Sequence, residues 1–293
     1  MSERAFISAR SNNRLYAEKC FAFMARFSLV ICASVLLFLL GSILAKGIGA
    51  IQLDFLFTPA KEFGKSGGIF YQLFGSLLIV FVAALLVLPV AVGTSLFQNS
   101  YNTNTRLAQI LDQSLYALNA IPSVTYGIFG LIFFVNLLNT GISWFVGSII
   151  LAIMILPTVT LSTYQAMSAI PKIYHENAAA LGLTRSQIIR RVTLPQSVHG
   201  VVTGLLIGLS RAIGETAPIM FIATAFSGVQ VPRSLVEPVS TLPTHILELA
   251  QQSTDPEALR NAWGASLTLV LLAASFGGLA LIFRSRLKSE GHR

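Results

Sequence analysis

Six stretches of this chain are too long and too apolar for a water-soluble fold. They run roughly over 27–45, 71–96, 115–138, 142–167, 198–228 and 263–283. A helix needs about 20 mostly apolar residues to cross the hydrocarbon layer, where every backbone N–H and C=O must be paired within the protein. The expected fold class is therefore all-α integral membrane, with six transmembrane helices. Composition agrees: 11% of the residues are charged and the mean hydropathy is +0.72. Only Asn139-Thr140-Gly141 separates the third stretch from the fourth, which predicts a tight hairpin. Pro89, Pro122, Pro157 and Pro218 fall inside or near the ends of four stretches. Membrane helices tolerate proline where neighbours satisfy the freed carbonyls.

The first stretch follows a polar, basic tail and is longer than the apolar core of a signal peptide. It is read as a retained transmembrane helix. Lysine and arginine set the orientation. The N-terminal tail, the 97–114 and 168–197 loops and the C-terminal tail carry 14 of the 20, whereas Lys46, Lys61, Lys65, Arg233 and Arg260 lie on the opposite side. The positive-inside rule then predicts cytoplasmic termini and a multi-pass protein. Loop topology accounts for the net charge of +8, so no nucleic-acid partner is expected.

Several chemistries lack their residues. Cys20 and Cys32 have no metal-ligand spacing, and the four histidines are scattered. No metal site, Ser/His/Asp arrangement or catalytic carboxylate pair is expected. Gly64-Lys65-Ser66 resembles the end of a nucleotide-binding loop, but the glycine required five residues earlier is replaced by Pro59. The 229–262 loop carries Glu237, Glu248, Asp255 and Glu257 against Arg233 and Arg260, and reads as a solvated face or a docking surface.

The 168–197 loop is long enough to have its own structure. Pro171 suits a helix start, the alanines after Glu176 favour helix, and Gly182 suits its stop. Thr184-Arg185-Ser186-Gln187 fits a capping box opening a second short helix, which Leu194-Pro195 is expected to end.

Glu176-Asn177-Ala178-Ala179, Gly182 six residues after the glutamate, and Val192-Thr193-Leu194-Pro195 resemble the EAA loop of bacterial ABC importer permeases. Every spacing fits, with Asn177 departing from the usual alanine. The resemblance implies a type I ABC importer permease fold, with Tyr174–Leu183 as a cytoplasmic coupling helix docked on an ATPase subunit. Glu176, Ala178, Ala179, Gly182, Leu194 and Pro195 are the coupling residues it implies. Its divisions would be a cytoplasmic tail 1–26, a first helix 27–45, a periplasmic loop 46–70, a permease core 71–283 with the EAA loop at 171–195, and a cytoplasmic tail 284–293.

A second likeness narrows the family. Arg211-Ala212-Ile213-Gly214-Glu215-Thr216-Ala217-Pro218 resembles a signature of phosphate-importer permeases. Thr241 through Ala250, Ser66-Gly67-Gly68-Ile69 and Trp263-Gly264-Ala265 resemble their A-type subunit. This resemblance implies a PstC-like second permease, a homodimeric PstB-like ATPase that binds ATP and Mg, and a periplasmic PstS-like phosphate-binding protein. No cofactor is expected in this chain. Phosphate would cross the bacterial inner membrane by alternating access. Other oxyanions, molybdate or sulfate, and a non-transporting membrane sensor remain as alternatives.

Arg211 and Glu215 are the charges inside the fifth apolar stretch. A charge at bilayer depth costs about 2.5–3.5 kcal/mol on insertion scales, and an exposed i,i+4 pair returns only about 0.3–0.5. The pair must therefore face protein or water. Gly200, Gly204, Gly208 and Ala212 recur every four residues as a small-residue stripe for close helix packing. On one continuous helix, Arg211 and Glu215 flank that stripe. Two readings stand: a guanidinium that meets a passing oxyanion with Glu215 moderating its grip, or a buried ion pair that sets helix register. The family resemblance implies the translocation pathway.

Overall fold

The computed structural model describes residues 2–61, 64–102, 104–224, 231–252 and 254–290. The end of the fifth predicted stretch, 225–228, and Arg293 lie outside them.

Helix α1 spans Ser2–Gly47 without a break, so the predicted tail and first transmembrane helix form one rod. At about 1.5 Å per residue it is roughly 69 Å long. It stands away from the core, with Leu36 and Phe38 exposed, and meets α12 (Pro256–Glu290) near its C-terminal end. There Gly47 lies against Trp263 and Leu267, and the Lys46 ammonium sits 4.8 Å from the Trp263 ring centroid. Short helix α2 (Leu53–Phe57) and a two-stranded hairpin, β1 (Ala60–Lys61) with β2 (Ser66–Gly67), follow. Gly64-Lys65-Ser66 belongs to this hairpin, and Asn261 Nδ2 donates to the Gly64 and Lys65 carbonyls at 3.1 and 2.8 Å.

Helix α3 (Phe70–Leu96) runs on through a π-helical turn to Tyr101. Helix α6 (Trp144–Ser168) is the centre of the bundle. Ile150, Leu151, Met154, Ile155 and Val159 on it are almost completely buried against α3 and α9 (Leu194–Ala212). Pro89 and Pro157 lie within α3 and α6, which continue past them. The hairpin predicted at Asn139-Thr140-Gly141 is present, with Asn139 and Gly141 at φ 51° and 72°.

Two predicted spans are broken. The third divides into α4 (Thr105–Ala120) and α5 (Ser123–Gly130, extended by a π-helical turn to Leu137), bent by 93°. The cause is Pro122: the residue before a proline is pushed out of the helical region, and Ile121 has ψ 128°. The fifth span ends at Ala212, and short helix α10 (Ala217–Ile222) follows a turn. Continuing through Pro218 would leave the Gly214 carbonyl without a donor and in collision with the proline ring. Among the described residues there are thus five helices long and apolar enough to cross a membrane and one bent pair, which count as six if the pair is one span.

The fifth span also begins earlier than predicted. Helix α7 (Lys172–Ala180) and α8 (Arg185–Ile188) form as expected, including the Thr184–Gln187 capping box. Leu194-Pro195, however, does not end α8. Arg185–Ala212 is one span. A π-helical turn at Ile189–Thr193 precedes the proline, and the Leu194 N–H donates to the Ile189 carbonyl five residues back. Widening the turn shifts the hydrogen-bond register just where proline removes a donor.

Beside the two-stranded hairpin, helix α11 (Leu242–Gln251) packs on α12. Two acids of the 229–262 loop bond nearby backbone N–H groups while staying at the surface. The Glu237 carboxylate accepts from Arg233 N–H and Ser234 Oγ, and its carbonyl accepts from Trp144 N–H at 3.0 Å. Asp255 caps α12, accepting from Glu257 N–H at 2.9 Å and Ala258 N–H at 3.4 Å, with Lys65 Nζ at 3.3 Å. Those backbone bonds, then Lys65, hold its carboxyl below the ordinary value of 3.8. A depressed carboxyl stabilises the fold above its unfolded pKa, and that contribution disappears as pH falls through the lower folded value. Acidification below about pH 4 should therefore lower the protection of the first-turn amides of α12, taken relative to their intrinsic exchange rate at each pH, and Asp255→Ala should give the low protection at every pH. Protection in the parent that is flat across this range would contradict the cap.

Candidate functional site

Arg211 sits in the last turn of α9. Glu215 lies in the turn beyond it, where Gly214 N–H bonds Arg211 O and Glu215 N–H bonds Ala212 O. The shared helix face expected from the sequence is therefore absent, because the helix has ended. The pair still meets: Arg211 Nε is 3.7 Å from Glu215 Oε1. The side chains are 40% and 16% exposed, so solvent screens the pair and the contact alone is a weak stabiliser.

A third residue completes the cluster. Arg211 Nη1 donates to Asn119 Oδ1 at 3.2 Å. Asn119 is in the last turn of α4, just before the Pro122 break. The two helix breaks are packed against each other. A Cβ on Gly127 of α5 would lie 2.8 Å from Pro218 Cα of α10. Tyr126 Oη donates to Leu118 O at 2.7 Å, a carbonyl at the end of α4 that also accepts from Ile121 N–H at 3.3 Å. A narrow cavity beside Glu215 is lined by Ser76, Leu151 and Thr241. The arrangement presents one guanidinium, one carboxylate and one primary amide at the junction of four helix ends. It suits brief contact with an oxyanion: Arg211 supplies paired donors, while Glu215 and the carbonyl ends of α4 and α9 offset its charge.

The small-residue stripe packs as predicted, and its partner is α6. Gly200 faces Ala166, Gly204 faces Ser162 and Gly208 faces Val159. Side chains at these positions would push α9 away from α6.

The elbow is a second constellation. Helix α7 ends in a Schellman motif, with Gly182 N–H to Ala179 O at 2.9 Å and Leu183 N–H to Ala178 O at 3.2 Å. Gly182 has φ 78°, which explains glycine there. Ala178 is buried, and His175 Nε2 and Thr193 Oγ1 are 3.1 Å apart, so this face of α7 rests on the π-helical turn. Glu176 and Ala179 face outward, beside Ile173, Tyr174 and Leu181, which are 54%, 50% and 83% exposed. The Arg185 guanidinium lies 5.4 Å from the Tyr101 ring, linking the elbow to α3 as well. Leu194 and Pro195 stand in the rod that continues up to Arg211, about 27 Å from Thr193 at 1.5 Å per residue.

Sequence reasoning joined Arg211 to Glu215 but missed Asn119, whose signal was a polar residue just before Pro122 in an apolar stretch. It also missed His175 and Thr193, because their pairing depends on how the elbow folds back. Thr193→Val should remove the His175 bond without changing size. Amide exchange in α7 is expected to speed up severalfold, because the elbow loses a side-chain tie to the π-helical turn. Unchanged exchange would show that this bond does not hold α7 in place.

A family profile described as "Binding-protein-dependent transport system inner membrane component" matches residues 91–288. A relative in Bacillus subtilis, "Probable ABC transporter permease protein YqgI", is 29% identical over 90% of this chain and 94% of its own length. "Probable phosphate transport system permease protein PstA" of Methanocaldococcus jannaschii is 31% identical over 88% of this chain and 90% of its own. Among solved structures, a bacterial ABC transporter involved in the import of the acidic polysaccharide alginate has a chain that superposes with a TM-score of 0.63. The alignment covers 98% of this chain and 99% of that one, at 18% identity. That likeness speaks for the fold alone, and it agrees with the all-α type I importer permease architecture expected from the EAA loop. With about two thirds of its length matched by the family profile, the chain belongs to the binding-protein-dependent transport system inner membrane components, the multi-pass permease subunits of ABC importers.

Proposed function

We propose that this chain is the A-type permease subunit of an ATP-driven phosphate importer of the bacterial inner membrane. The observation that carries the reading is the similarity, across nearly the whole chain, to a protein named as a phosphate transport permease. The Arg211–Glu215–Asn119 cluster supports it chemically, since a planar guanidinium with a neighbouring amide suits an oxyanion. A guanidinium 40% exposed at the end of an apolar span calls for a protein partner or a water-filled path beside it.

In this reading a PstC-like permease covers that face and completes the pathway. A homodimeric PstB-like ATPase binds ATP and Mg and docks on the exposed side of α7, around Glu176, Ala179 and Leu181. A PstS-like binding protein delivers phosphate from the periplasm. The ATPase motor lies in that partner, and both termini of this chain face the cytoplasm, as the lysine and arginine distribution implies. Closure of the ATPases draws the elbows together and rocks α9 with its cluster between two states.

The test is ATP hydrolysis in lipid by the complex co-expressed with its candidate partners, with the binding protein loaded with phosphate, sulfate or molybdate. Stimulation by phosphate alone supports the reading. Stimulation by another oxyanion overturns the substrate, and an assembled complex that answers none of them overturns transport of these oxyanions.

A further inference from the structure

Arginine has five N–H donors and no acceptor, so the Asn119 atom that meets Arg211 Nη1 at 3.2 Å must be its carbonyl oxygen. That fixes the amide. Its Nδ2 is left without a hydrogen-bond partner among the described residues, and Asn119 is exposed. Two donor groups, the Arg211 guanidinium and the Asn119 amide, are thereby held side by side. They come from different helix breaks, α9–α10 and α4–α5.

The charges are finely balanced. Arg211 contributes one positive charge, and Glu215 one negative charge 3.7 Å away. A carboxylate at position 119 would accept from Arg211 equally well, yet it would make the cluster net negative and remove the free N–H donors. Asparagine steadies the guanidinium without spending its charge, and still has an N–H to offer an anion.

We propose that Asn119 is a second oxyanion-contacting residue of the pathway: it orients Arg211 through Oδ1 and donates to the passing anion through Nδ2. The inference rests on the phosphate-importer reading above. It assigns to α4 a role in substrate passage that the EAA loop and the Arg211–Thr216 signature do not contain. Because α4 and α9 approach this point from separate breaks, movement of either break parts the two donor groups and weakens the grip on the anion. A pathway site must release its ion as readily as it takes it.

Asn119→Asp is nearly isosteric, so a role limited to packing leaves it silent. In reconstituted complexes with the phosphate-loaded binding protein, this variant is expected to lower phosphate import about a hundredfold, through loss of a charge-assisted donor and addition of a repelling charge. ATP hydrolysis stimulated by the loaded binding protein should persist, so that import per ATP falls. Asn119→Leu, similar in size and uncharged, is expected to lower import about tenfold. Adding Glu215→Gln to Asn119→Asp moves the single carboxylate to the other side of Arg211, and should recover a large part of the lost import. An assembled Asn119→Asp complex that imports like the parent overturns the proposal. So does a double variant that imports no better than Asn119→Asp alone. A parent complex that imports no phosphate at all instead removes the reading on which this one rests, and the parent control separates the two failures.

Discussion

Complexes carrying Arg211→Gln are expected to assemble with their partners in normal stoichiometry and to import less than about one-hundredth of the parent's phosphate. The estimate follows from the geometry. Arg211 offers an oxyanion two parallel N–H donors, and each charge-assisted hydrogen bond contributes roughly 1.5–3 kcal/mol, against 1.4 kcal/mol per tenfold. Little stability is lost with the side chain, because it is 40% exposed and its contact with Glu215 is 3.7 Å long. Arg211→Lys should fall between, retaining the charge but not the planar fork. Transport assays and co-purification on the same preparations check this. Normal import by an assembled Arg211→Gln complex removes Arg211 from the pathway and leaves the cluster a structural pair.

Gly204→Leu should have an opposite profile: no assembled protein in which to measure transport. A Cβ at position 204 would lie 2.5 Å from Ser162 Cβ and 2.6 Å from its Oγ. Ser162 is on α6, which supplies more of the main buried core than any other helix. Overpacking by a few methylenes costs about 1–3 kcal/mol where the neighbours can move. Here the neighbours are a helix already packed on its other side by α3, so the separation extends along the whole α6–α9 seam and the cost exceeds that range. Gly93→Leu is the control, since nothing lies within 4 Å of a Cβ at that position. Yield of the purified complex and its melting temperature in detergent read the difference. Equal yields for the two variants would mean that the stripe is not the contact holding these helices together.

The spans, the elbow and the family were legible in the sequence because each rests on local chemistry. An apolar run of about 20 residues has few alternatives to a helix in lipid. The Schellman end at Gly182 and the capping box at Thr184–Gln187 involve residues within a few positions of one another. The small-residue stripe of α9 was legible as a pattern too, although not its partner. Reasoning failed at the three prolines whose effect depends on surroundings. By sequence Pro195 reads as a stop, yet it lies inside a continuous rod, whereas Pro122 and Pro218 read as tolerable and mark breaks. In each case the outcome turns on whether a neighbour or a widened turn can absorb the missing N–H. Hydropathy carries no trace of that.

Arg211 and Glu215 show the same division. The sequence by itself determined that two charges in an apolar stretch must face protein or water, since the cost of burying them in lipid depends only on their chemistry. Composition and spacing also determined the membrane class and the elbow, and the resemblance of two motifs pointed to the family. Only the tertiary structure decided that Glu215 lies beyond the end of α9, that Asn119, 92 residues away, joins Arg211, and that two helix breaks meet at that point. Those facts belong to no local pattern. They arise because α5 and α10 pack closely enough, with Gly127 against Pro218, to bring the ends of α4 and α9 together.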